Sequence, residues 1–208
     1  MLLYTTRETP IERYPNAQRW LNQWARRNTC REVTAGKHPA WALHRPRDPG
    51  IFKSPKFIGL TTSKTFEVVH DATDDLYVTD AMYVFRIRPG LDPRVVLGLI
   101  HSRLVLFLYR VTNQGEGRVI PQVKAAKLNE IPVPALDIDF VGCRALVDAV
   151  DQLLAVTSRL GKARMPNEIE ALCREASGLV VRLDRRVYDL YGLTEDEIAL
   201  VESSFEGV

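Results

Sequence analysis

Two stretches of this sequence gather cations almost without acids. Lys37, Arg45, Arg47, Lys53, Lys56 and Lys64 meet one acid, Asp48, between 37 and 64, and Arg103, Arg110, Arg118, Lys124 and Lys127 meet only Glu116 between 103 and 127. Such side chains neutralise phosphates, which gives affinity and register on a nucleic acid. Arg45 and Arg47 flank Pro46, so two guanidinium forks sit on a stiff turn and could each grip a phosphate in bidentate fashion. Lys56 at a strand start and Lys64 in a hairpin turn are further phosphate candidates. Asn113, Arg118, Gln122 and Lys124 are of the types that read base edges in the major groove. Each of these residues has a plainer role open to it: solvated charge, an ion pair from Arg45 or Arg47 to Asp48, or backbone satisfaction by Gln122.

Other chemistries are poorly supplied. The three cysteines, Cys30, Cys143 and Cys173, show no paired spacing, and the four histidines are scattered, which argues against a zinc site or disulfide framework. The acids Asp71, Asp74, Asp75 and Asp80 could serve metal-dependent hydrolysis, yet no lysine stands suitably beside them, and a solvated loop between strands accounts for them. There is no phosphate-cradling glycine loop after a first strand, no Walker loop, and no Asn/Asp-Pro-Pro-aromatic motif of the amino-methyltransferases. No catalytic or metal-binding residue is assigned.

The elements that would position the cations follow from pattern. A chain of 208 residues with 46% apolar residues can bury a core, and its net charge of +2 neither requires nor excludes a nucleic-acid partner. No signal peptide is visible, and the apolar run Val95–Tyr109 is too short to span a bilayer, so a cytoplasmic protein is expected. Asn16 is a plausible N-cap for a helix carrying Trp20, Leu21 and Trp24, and Trp20, Trp24 and Trp41 are expected to pack in the core rather than stack on bases. Phe57–Thr62 and Phe66–Val69 predict a hairpin, while Tyr77–Thr79 and Met82–Ile87 predict half-buried strands. Asp92-Pro93 opens a helix to about Arg110. From about Asp139, two apolar stripes predict long antiparallel helices joined near Gly161 and Pro166, and Thr194-x-x-Glu197 is a capping box for a last short helix. The fold class is α+β: a mixed α/β domain with a small twisted sheet over 1–136, then an antiparallel helical hairpin over 137–208.

Taken in order, several stretches resemble the TaqI-like C-terminal specificity domain of type IIG and related restriction-modification methyltransferases. They are Leu2–Thr6, Trp41-Ala-Leu-His-Arg-Pro-Arg-Asp48, Pro55-Lys-Phe-Ile, the turn Thr62-Ser63-Lys64, Tyr77-Val-Thr-Asp80, Leu97–Leu104, Ile120-Pro-Gln-Val-Lys124, Leu128–Pro134 and Leu183–Glu195. The ordered series carries the likeness. It implies a target-recognition module for double-stranded DNA, part of a site-specific adenine-N6 methyltransferase with or without an endonuclease, and it adds Thr62 and Ser63 to the DNA-contacting candidates. The catalytic domain that normally precedes these motifs, in cis or as a separate polypeptide, would hold S-adenosylmethionine and flip the target adenine from the stack. No cofactor is expected in this chain. An interaction protein that docks a partner through the helix pair, with negligible DNA binding, is the alternative.

Overall fold

A computed structural model describes residues 3–25, 27, 30–63, 65–73, 76–112, 123, 125–134 and 141–206. The chain divides into two compact units, Met1–Ile51 and Phe52–Val208. The class is α+β, as the patterns predict.

The first unit is built from short pieces. A 3-10 turn, Ile11–Arg13, precedes helix α1 (Pro15–Ala25), and α2 (Arg31–Thr34) is a single turn. Helix α1 opens on Pro15, one residue before the expected cap Asn16, because proline's fixed φ suits a first helical position. No residue of α1 is buried. This overturns the core role expected of its tryptophans: Trp20 and Trp24 are 52% and 45% exposed, and their rings lie 6.1 Å apart at a tilt of 57° with the Arg27 guanidinium 4.6 Å over Trp24. Trp41 is half-buried. A piece this small has little apolar surface of its own against which three indoles could be buried.

In the second unit, β1 (Lys56–Leu60) is the centre of a three-stranded antiparallel sheet in the order β2-β1-β3. Strand β2 (Val68–Asp71) pairs Val69 with Ile58, and β3 (Met82–Phe85) pairs Val84 with the same residue. Gly59 sits opposite Tyr83, and a Cβ there would stand closer than 3.0 Å to the Tyr83 ring. The hairpin and β3 fall where the patterns place them. Tyr77–Thr79 form no strand; Tyr77 instead stacks on Phe52 at 4.7 Å.

The helix expected from Asp92 to Arg110 is two helices, α3 (Pro93–His101) and α4 (Arg103–Thr112), bent by 61° at Ser102. Asp92 caps α3 as predicted, accepting from the Arg94 N–H at 2.8 Å. Ser102 is extended, donates its hydroxyl to the Leu99 carbonyl at 2.7 Å and accepts from the Val105 N–H at 3.3 Å, closing one helix and opening the next. The first N–H of α4, that of Arg103, is held by the Asp184 carboxylate at 2.8 Å. Among the described residues no single helix is long and apolar enough to cross a membrane.

After α5 (Ala125–Leu128) come α6 (Val141–Lys162) and α7 (Pro166–Tyr191), the predicted hairpin, then α8 (Glu195–Ser203) with the predicted Thr194–Glu197 capping box in place. Gly192 takes a left-handed conformation (φ 68°), the usual way for a glycine to close a helix. The hairpin is not a separate layer beginning at 137. Its proximal residues Leu146, Val150, Leu183, Val187 and Tyr188 share one core with Phe57, Phe66 and Val68 of the sheet segment and Val95, Leu99 and Leu104 of α3 and α4. Only the distal half has a cluster of its own, made of Val156, Ala163, Leu172 and Leu179.

Candidate functional site

The cations of the first stretch lie in both units. In the first, Arg45 is exposed and Arg47 is half-buried, its carbonyl accepting the Tyr4 hydroxyl. Asp48 uses its carboxylate to accept the Gly50 N–H at 2.8 Å, so it shapes the turn after Pro49. In the second unit Lys53 is exposed, as is Thr62 past the end of β1. Ser63 is half-buried and donates to Glu67 at 2.7 Å, which closes the hairpin.

Lys56 is a correction. It is 1% exposed; its ammonium donates to the Phe52 carbonyl at 2.9 Å and lies 2.5 Å from Asp71 Oδ2. Asp71 also accepts from the Thr73 hydroxyl at 2.6 Å and the Thr73 N–H at 3.0 Å. Hydrogen bonds from Lys56 first, then from Thr73, hold the Asp71 carboxyl far below the usual carboxylate range against the opposing effect of burial. An ammonium so enclosed reaches no phosphate, and Asp71 is equally removed from the acidic cluster of a nuclease. The pair fastens the start of β1 to the end of β2, which face each other in register.

The second basic stretch is largely compensated where it is described. Arg103 is paired with Glu202 and approaches Asp184 at 3.7 Å, Arg110 lies 4.9 Å over the Phe205 ring, and Lys127 holds Glu130 at 2.7 Å. Lys64, Asn113, Arg118, Gln122 and Lys124 lie outside the described residues. Between the last two, Val123 is buried and its N–H donates to the Thr61 carbonyl at 2.9 Å, so Val123 itself is anchored beside the hairpin.

Sequence reasoning passed over Arg86 and Arg88, both exposed just beyond β3. Their spacing of two, which places side chains on one face of an extended chain, was the available signal. Among the described residues Arg86 is also the one charged residue lining an apolar pocket of about 270 Å³ among β3, α3 and α5, whose walls include Phe85, Leu99, Leu128 and Tyr191. Tyr83, also in that lining, has its phenol pushed up to about 12, chiefly by burial. The pocket suits a small apolar group, and the described residues of its lining include no acid–base pair.

No family model matches the chain, and no curated protein matches it. Five of the nine stretches of the resemblance nevertheless meet in one place. Phe57, Leu97, Leu99, Leu104, Val123, Leu183, Val187 and Tyr188, drawn from four separate stretches, are buried in one cluster, with Leu128 and Ile131 of a fifth packed against it.

Proposed function

We propose that this chain is a duplex-DNA recognition module of a restriction-modification adenine-N6 methyltransferase, itself non-catalytic and working in the cytoplasm with a methyltransferase domain supplied in cis or in trans. The carrying observation is that residues of five of the nine motif stretches converge on one core. A scaffold defined by shared core residues leaves readout to the segments outside them: Arg45 and Lys53 lie before the first of these residues, and Thr62, Lys64, Asn113, Arg118 and Gln122 lie between them. Phosphate contacts from the exposed cations would set register, and the segment 113–122 would read bases. S-adenosylmethionine and the residues that hold the flipped adenine belong to the partner domain in this reading.

Binding to labelled duplexes as a function of salt tests it. The expected outcome is an affinity that falls linearly in log–log form with salt. Substituting both Arg45 and Lys53 with alanine reduces the slope by about one for each phosphate that is no longer neutralised, while Arg118→Ala or Gln122→Ala changes the preferred sequence. Equal weakening on all sequences would mark these last two as phosphate ligands, and no binding at micromolar protein and low salt would sink the proposal. In that event the hairpin becomes the functional surface: its helices leave Leu154 49% and Val181 62% exposed, which favours docking as the second reading.

A further inference from the structure

Spacing in the sequence argues against a metal site, yet the first unit gathers donors of metal-ligand type. Cys30 is the residue before α2 and Glu32 lies in its first turn. The Glu32 carbonyl accepts the N–H groups of Lys37 and His38 at 2.8 and 3.1 Å, which folds the following loop back over α2. Farther along, the Leu43 N–H donates to the Thr5 carbonyl at 2.8 Å and the Thr5 hydroxyl to the Trp41 carbonyl at 2.7 Å, which fixes the approach to His44. Cys30 Sγ therefore stands 2.9 Å from Glu32 Oε2, and His44 Nε2 stands 3.4 Å from the same oxygen. All three donor atoms lie within 4.8 Å of one another. A tetrahedral zinc with bonds of about 2.0–2.3 Å spaces its ligand atoms by about 3.3–3.7 Å, close to what these residues already show.

His38 supplies an independent observation. It is 4% exposed, and its ring centroid is 5.0 Å from that of His44. Its Nδ1 lies 2.8 Å from the Pro39 carbonyl oxygen, which can only accept, so Nδ1 carries the proton and Nε2 of the neutral ring carries a lone pair. Nε2 is buried and has no hydrogen-bond partner among the described residues. This buried imidazole packs beside the His44 ring and is not one of the three donors within 4.8 Å of one another, so it backs His44 and is not itself a ligand.

We propose that Cys30, Glu32 and His44 bind a divalent transition metal of the zinc class. Binding forms one metal–sulfur bond, releases the Cys30 thiol proton to solvent, and engages the His44 imidazole through Nε2. Thiolate and carboxylate together balance the charge of the ion. A thiolate with an imidazole selects zinc or cobalt over magnesium or calcium, and a fourth position is left for solvent. The role is to tie α2 to the loop that carries Arg45, and it stands apart from the DNA-binding proposal.

Cobalt(II) titration of the full chain, stripped with a chelator and kept reduced, tests this. The expected result is one equivalent bound with a thiolate-to-cobalt charge-transfer band and tetrahedral visible bands, both bleached by zinc. Cys30→Ser abolishes the charge-transfer band, Cys173→Ser leaves it unchanged, and His44→Ala weakens zinc at least about tenfold against a chromophoric chelator. Absence of the band in the wild-type chain, its persistence in Cys30→Ser, or equal zinc affinity in wild type and His44→Ala would overturn the site and leave a hydrogen-bonded trio.

Discussion

Asp71 and Asp184 are both buried carboxyls, and their surroundings push them in opposite directions. Asp71 is held far down by the Lys56 ammonium and by Thr73. Its contribution is present at neutral pH and is lost only as the pH falls below about 4. Asp184 is raised to about 6 because burial outweighs the Arg103 N–H and guanidinium that favour its charge. The unfolded chain releases that proton near 3.9, so between about pH 4 and 6 the native state binds more protons, and this group's contribution declines as pH rises through that window. Asp184→Asn keeps an acceptor for the Arg103 N–H and removes the charge. The expected outcome, read from urea unfolding at a series of pH values, is a flatter profile over that window and a gain of about 1–2 kcal/mol at pH 7. A large destabilisation at pH 7 would mean that attraction to Arg103 outweighs burial. The sequence singled out Asp71 only as a member of an acidic cluster and Asp184 not at all, since each is defined by partners far along the chain: Lys56 for Asp71, and Arg103 for Asp184.

Among the elements, β1 depends on the absence of a side chain at Gly59, where β3 brings Tyr83 directly alongside. Gly59→Ala forces the phenol ring or the strand to move and should cost about 1–3 kcal/mol, seen as a lower urea midpoint with an unchanged slope. Local patterns were enough to place the β1–β2 hairpin, β3, the Asp92 cap of α3 and the Thr194 capping box, because each rests on neighbours in the chain. They were not enough for the break at Ser102. A serine within an apolar run reads as a continuous helix, and the bend depends on Asp184 meeting the Arg103 N–H from α7. Tyr77–Thr79 has the alternation of a strand, yet both edges of β1 are already occupied, one by β2 and the other by β3. The cations show the same division: charge runs were visible, but whether a cation faces water, as Lys53 does, or an acid, as Lys56 and Arg103 do, is decided by tertiary pairing. The Cys30, Glu32 and His44 trio was hidden for the same reason, because the hydrogen bonds that bring His44 to α2 run through Thr5.

At the scale of the whole molecule, two compact units replace the expected boundary near 136, since the sheet segment and the proximal hairpin complete a single core. The hairpin is thereby graded in stability along its length. Leu172→Ala, in the distal cluster, should speed amide exchange over about 160–180 and leave β1 protected, whereas Leu146→Ala, at 0% exposure in the shared core, should speed exchange in both. Uniform acceleration by both variants would show that the unit opens as one piece. The hairpin's architecture has a geometric corollary. Both long helices are rooted in the same core and pack on each other through the distal cluster up to the turn 163–165, so their outer ends can grow without disturbing the roots. Seven residues inserted into each would carry the turn outward by about 10 Å and keep the apolar seam in phase. The fold thus contains a ruler, whose reach relatives could reset in heptad steps while the sheet stays as it is.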